Sequence, residues 1–124
     1  MRVAFLFNHY FTHQVPQAVP YAFELSRTYP DIDVVIACSS AQEMDFAKEI
    51  ATLYPGQRCD YYLLDVPRYY KLIDPLLSKW TFRRKLIILR HNLVFFKNLD
   101  ALVAPERHCL QLRTKFGVKD LTMI

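Results

Sequence analysis

Short apolar runs alternate along this chain with longer stretches in which apolar residues recur every three or four positions. The short runs have the length and composition of buried β-strands, and the longer stretches match amphipathic helices. Alternation of the two is typical of a parallel sheet assembled from βαβ units. Strands are predicted at residues 3–7, 34–37, 61–64, 102–104 and 121–124. The pattern therefore predicts an α/β fold.

Two helices are predicted from clear end signals. Pro16 and Pro20 suit the first turn of a helix that ends before Pro30, because a proline there loses no hydrogen bond. Ser40 and Glu43 have the spacing of a capping box at the start of a second helix. The inner faces are expected to carry Val19, Phe23 and Ser26 in the first helix and Phe46, Ile50 and Leu53 in the second.

Two further helices are predicted in the second half of the chain. One begins near Thr81 and places Leu86, Leu89, Leu93 and Phe96 on a single face. The other begins at Pro105 and ends at Gly117, where a left-handed residue is favoured. With the strands, these helices predict a Rossmann-like parallel sheet of about five strands with flanking helices.

Length and composition limit the domain count and the cysteine chemistry. The 124 residues suit one domain, and a hydrophobic content of 52% is enough for a packed core. We therefore interpret residues 1–124 as a single domain. Cys38, Cys59 and Cys109 are widely spaced without a CxxC pair, so we expect reduced, buried thiols and no metal site.

Hydropathy bears on where the protein acts. No apolar stretch reaches the roughly 18 residues that a membrane span needs. The apolar run at residues 3–7 is too short for the core of a signal peptide. We therefore expect a cytoplasmic protein.

The loop after the first strand carries candidate catalytic groups. It contains His9 and His13 but no glycine, which disfavours the dinucleotide and Walker A types of phosphate loop. An imidazole accepts a proton near neutral pH, so His13 is the preferred general base and His9 the second. Asn8 and Gln14 are candidate acceptor or anion contacts. The alternative is that these side chains only hydrogen-bond the loop or cap the first helix.

Glu106 and Arg107 lie in the first turn of the helix predicted to start at Pro105. Exposed N–H groups and the helix dipole favour an anion there, and Arg107 would hold a phosphate or sugar hydroxyls. An acid in a first helical turn is also common for electrostatic reasons alone, so a structural role of Glu106 stays open.

A basic segment without acidic residues extends between Asp74 and Asp100. Its apolar residues exceed what one core-facing stripe needs, so a second surface is expected to cover them. The rest of this domain, a partner domain and an anionic membrane are the three alternatives. A net charge of +4 is modest, which disfavours nucleic acid. The predicted surface residues are Lys79, Trp80, Arg83, Arg84 and Arg90.

Three short motifs carry a resemblance to a known family. They are HQVP at residues 13–16, APER at residues 104–107 and FGVKDL at residues 116–121. With the order of elements and the glycine-free histidine loop, they resemble the N-terminal region of bacterial GT-B transferases. The similar proteins are CDP-glycerol glycerophosphotransferases and UDP-GlcNAc 2-epimerase-like glycosyltransferases.

The resemblance implies an incomplete N-terminal GT-B domain, the acceptor-binding half of a transferase of cell-envelope polysaccharide synthesis. A C-terminal GT-B domain or subunit would bind the nucleotide-activated donor, with no resident cofactor in this half. His9 and His13 would be candidate bases, and Glu106 and Arg107 acceptor contacts. A fragment, a truncated frame and one subunit of a split enzyme all stay open. The alternative function is a non-catalytic module that docks a protein, a membrane surface or nucleic acid through its basic helix.

Overall fold

A computed structural model describes residues 1–8, 14–68, 81–104 and 121–123, with the backbone alone for residues 81–85 and 121–123. The predicted α/β fold with a parallel sheet and flanking helices is confirmed, and it is compatible with a Rossmann-like fold. In chain order the elements are β1 (Arg2–Phe7), α1 (Val15–Thr28), β2 (Asp33–Cys38), α2 (Ala41–Ala51), β3 (Asp60–Leu63), α3 (Thr81–His91), α4 (Leu93–Lys97), β4 (Ala101–Ala104) and β5 (Leu121–Met123). The predicted helix between Pro105 and Gly117 lies outside the described residues.

The strands lie in the order β3-β2-β1-β4-β5, and every neighbouring pair is parallel. Pairing of β1 with β2 extends from Arg2 opposite Asp33 to Phe7 opposite Cys38. On its other side β1 pairs with β4, where Phe5 lies opposite Val103. The three-residue β5 pairs with β4 at the edge of the sheet. The first strand of the chain is therefore central in the sheet.

Helices cover both faces of the sheet, and β1 and β2 are therefore buried on both sides. Val3, Phe5 and Phe7 pack in one cluster with α1 and α2, and Ala4 and Leu6 pack in a second cluster with α3 and α4. A continuous apolar run is what a strand between two helical layers requires. This explains why β1 reads as an unbroken run rather than an alternating one.

The first helix begins as predicted but includes a proline in its interior. Pro16 lies in the first turn of α1, and Val19, Phe23 and Ser26 are buried. The placement of Pro20 in a first turn is wrong, since it lies within the helix. A proline at that position donates no hydrogen bond to the carbonyl four residues earlier. Packing of the buried face compensates for the missing bond.

The second helix confirms the predicted cap. The Ser40 hydroxyl accepts a hydrogen bond from the Glu43 N–H at 3.2 Å. Phe46 and Ile50 are partly buried against the core. Leu53 was expected on the same face but is 75% exposed, because α2 ends two residues before it.

The predicted third helix is divided at Asn92 into α3 and α4. Leu89 and Phe96 of the predicted stripe are fully buried, and Leu93 packs partly buried against the same cluster. The Asn92 side chain accepts a hydrogen bond from the Asp65 N–H at 2.8 Å and donates one to the Asp65 carbonyl at 2.9 Å. It thereby pairs with the backbone two residues after the end of β3, as a neighbouring strand would.

Asn92 is buried, and its amide also donates to the Ile88 carbonyl at 2.7 Å. We predict that Asn92→Ala lowers the free energy of unfolding by about 2 kcal/mol, because backbone groups of Asp65 and Ile88 lose their partners. Urea denaturation measures this difference. Asn98→Ala, an exposed control at the end of α4, should change stability by less than about 0.5 kcal/mol. Equal effects of the two substitutions would show that Asn92 has no special role.

Candidate functional site at the carboxyl edge of the sheet

The carboxyl ends of β1 and β4 lie side by side, and in an open α/β sheet a ligand crevice is expected at this position. From β1 the chain passes through α1 to β2 on one side, whereas β4 pairs with β1 on the other. In open α/β sheets such a switch point is the usual place for a ligand.

Two of the predicted contact residues lie at this edge. Asn8 directly follows β1 and is 2% exposed. Gln14 is half-buried at the start of α1, and its side chain forms no hydrogen bond that caps the helix. Its Oε1 atom is buried and has no hydrogen-bond partner in the part of the chain that the structure describes. Gln14 thus presents a buried acceptor beside the loop after β1.

The remaining predicted site residues stay predictions. His9, His13, Glu106 and Arg107 lie outside the described residues. Their loops leave from the ends of β1 and β4, which are neighbouring parallel strands. The two loops therefore start from the same edge of the sheet.

A buried carboxylate at the start of α2 was not predicted. Glu43 is 0% exposed, and its Oε1 accepts hydrogen bonds from the hydroxyls of Ser39 at 2.7 Å and Ser40 at 3.0 Å. In a capping box the glutamate usually reaches back to a backbone N–H. Here the Oε1 atom accepts from two hydroxyls. The capping spacing was the available signal, but it did not predict burial.

This network also determines what the start of α2 can bind. A helix amino terminus attracts anions through its dipole and its N–H groups. At α2 the chain's own Glu43 carboxylate occupies the first turn, and Ser40 satisfies one N–H. An external phosphate would meet a like charge there. The carboxyl end of β2 is therefore a poorer anion site than the crevice between β1 and β4.

Cys38, the last residue of β2, is buried beside this network. Burial raises the pKa of its thiol well above the ordinary value of 9.0, the Glu43 carboxylate raises it further, and Lys48 opposes the change. A protonated thiol is a poor nucleophile. Cys59 is also buried, with a pKa raised by burial. The prediction of reduced, buried cysteines is confirmed for these two, and Cys109 lies outside the described residues.

The basic segment is covered in part by this domain itself. Ile88 is buried, and the Phe95 ring stacks on Tyr62 with centroids 4.1 Å apart. For these two residues the cover is the rest of this domain, one of the three alternatives, because the second core cluster and Tyr62 pack against them. Val94 is 78% exposed. Of the predicted surface residues, Arg90 is exposed, Arg83 and Arg84 lie in α3 without described side chains, and Lys79 and Trp80 lie outside the described residues.

Two further searches concern only the part of the chain that the structure describes. No helix there is long and apolar enough to cross a membrane. No group of three or more His, Cys, Asp or Glu side chains there is placed to hold a metal ion.

We predict that Glu43→Ala lowers the free energy of unfolding by about 3 kcal/mol, because two hydroxyls lose a charged acceptor in a buried site. Glu49→Ala removes an exposed carboxylate from the same helix and serves as the control. It should change stability by less than about 0.5 kcal/mol. Thermal and urea denaturation of both variants provide the comparison. A Glu43→Ala protein as stable as the control variant would contradict a stabilising role of the network.

Stability is also predicted to depend on pH through Cys38. Its pKa is raised in the folded state, so the folded chain retains the proton that the unfolded chain releases. The contribution is fully present below pH 9.0, the ordinary pKa, and is lost as the pH rises above it. Cys38→Ala should therefore show a shallower fall in unfolding free energy above pH 9.0 than the wild-type chain. Parallel curves would contradict this assignment, whatever the absolute stabilities.

Comparison of the chain with protein-family models, with curated proteins and with solved structures finds no match.

Proposed function

We propose that this chain is the acceptor-binding half of a glycosyl- or glycerophosphoryl-transferase of cell-envelope polysaccharide synthesis, built as half of a GT-B fold. The observation that carries the proposal is the adjacency of β1 and β4 in a parallel sheet. It brings the starts of a histidine-containing loop and of the APER segment to one edge. A sheet of about five strands is the expected size for such a half.

Each residue of the crevice has a stated role in this proposal. His13 accepts the proton of the attacking hydroxyl, with His9 as the second candidate base. Arg107 holds a phosphate of the acceptor, aided by the N–H groups at the start of its predicted helix. Glu106 and the amides of Asn8 and Gln14 contact acceptor hydroxyls.

Gln14 supports the acceptor role with an observed feature. Its buried Oε1 has no hydrogen-bond partner among the described residues. A buried acceptor without a partner is costly, and a ligand hydroxyl would supply the missing donor. A polyol such as glycerol phosphate carries hydroxyls for this oxygen and a phosphate for Arg107.

The neighbouring groups favour the histidine loop over other chemistry at this edge. The Cys38 thiol is buried with a raised pKa, so it is unsuited to nucleophilic catalysis. The start of α2 already holds the Glu43 carboxylate. An imidazole ordinarily titrates near neutral pH, which suits a loop histidine to the role of general base.

The donor belongs to a partner in this proposal. A second Rossmann-like domain or subunit would bind the nucleotide-activated donor and close over the crevice. Positioning two reactants against each other supplies a large part of the rate of such a transfer. We therefore expect no transfer activity from this chain alone.

Binding is tested by titrating the whole chain with glycerol phosphate and following backbone amide shifts. Shifts are expected at residues 8, 14 and 104 and at Arg107. Gln14→Leu should weaken binding about tenfold, the effect of losing one buried hydrogen bond. Gln42→Leu is the matched control, because Gln42 is exposed in the first turn of α2. Shifts confined to other regions, or equal affinities of the two variants, would contradict the site.

Catalysis is tested by supplying a C-terminal GT-B domain and measuring transfer from a nucleotide-activated donor. His13→Ala should lower turnover about 100-fold or more, the scale of losing a general base. His9→Ala should matter less, and His91→Ala is the control because His91 is exposed at the end of α3. Transfer by the chain alone would refute the half-enzyme proposal. A reconstituted pair that tolerates both loop substitutions would remove only the proposed base.

A further inference from the structure

The outward side of α3 and α4 carries a small basic face, defined here by Arg90, Val94 and Lys97. All three are exposed, and Val94 is 78% exposed. Leu89, Asn92 and Phe96 between and beside them are buried, so these three residues face outward on both sides of the division at Asn92. Val94 is the one large, exposed hydrophobic side chain among those described in α3 and α4.

The opposite side of these helices packs against the core. Leu89 and Phe96 are buried in the cluster that covers the sheet. Phe95 stacks on Tyr62 and contacts Phe96 edge-on, with ring centroids 5.4 Å apart. The aromatic side chains described in α4 thus face inward, and the basic face presents an aliphatic residue between two cations.

No nearby acidic residue in the sequence balances the positive charge of the basic face. No acidic residue occurs between Asp74 and Asp100. At the far end of α4, Asp100 accepts a hydrogen bond from the Arg2 N–H at 2.7 Å. Asp33 lies 3.4 Å from the Arg2 guanidinium. Both acids contact Arg2. Among the described residues, neither Arg90 nor Lys97 forms an ion pair.

We infer that the basic face docks on an anionic lipid surface, with Val94 at headgroup depth and Arg90 and Lys97 against lipid phosphates. An exposed aliphatic residue between cations suits a membrane interface. The inference does not depend on the proposed transferase function.

Two other partners fit the basic face less well. Single-stranded nucleic acid is bound through exposed aromatic rings on which bases stack, and the rings described in α4 are covered. A stable protein interface buries about 800 Å² on each partner around an apolar centre. One exposed valine is a small centre for such an interface.

The test is co-sedimentation of the whole chain with vesicles of phosphatidylcholine alone and of phosphatidylcholine mixed with phosphatidylglycerol. Binding is expected only to the mixed vesicles, and it should weaken as salt is added. The double variant R90E/K97E should bind at least about 25-fold more weakly, at about fivefold for each lost cation. Val94→Asp should also weaken binding, and its exposed position leaves the fold intact.

The control is K48E/R58E, which makes the same change in net charge at two exposed residues outside the basic face. It should retain most of the binding. Circular dichroism confirms that each variant is folded. The inference is overturned if the wild-type chain binds neither vesicle, binds both equally, or loses as much affinity in the control as in R90E/K97E. It is also overturned if R90E/K97E loses binding to single-stranded RNA but not to vesicles.

Discussion

Burial of β1 and β2 on both faces is the constraint on which the rest of the structure depends. Their side chains point alternately into two clusters, one beneath α1 and α2 and one beneath α3 and α4. A strand in this position has no polar face, so helices must cover both sides of the sheet. The helices connect strands that run parallel, so the carboxyl ends of the strands and the loops after them lie at one edge of the sheet. The candidate site is a consequence of this arrangement.

The sequence predicted the elements whose signals are local. Apolar runs located β1, β2 and β4 to within one residue at each end, and Ser40 with Glu43 located the start of α2. The division of the third helix was not predicted, because it depends on Asn92. The partner of Asn92 is Asp65, 27 residues earlier in the chain. A contact between residues so far apart in the chain produces no periodic pattern in the sequence.

The candidate region contains residues that were named from the sequence and others that were not. Asn8 and Gln14 were named and lie after β1 and at the start of α1, and their role stays a prediction. The buried Glu43 was missed because an acid in a first helical turn is usually exposed, and the Ser39 hydroxyl that helps to hold it precedes the helix. Cover of Phe95 by Tyr62 was missed for a similar reason, since the two rings come from distant segments. Contacts between side chains of distant segments can be identified only once the fold is known.

The proposed function depends on acceptor binding at the crevice expected between β1 and β4. A crystal structure of the whole chain with glycerol phosphate would locate the phosphate and the hydroxyls by their electron density. We expect the molecule at the carboxyl ends of β1 and β4, with a hydroxyl donating to Gln14 Oε1. A molecule bound at the start of α2 or on Arg90 and Lys97, with the crevice empty, would contradict it.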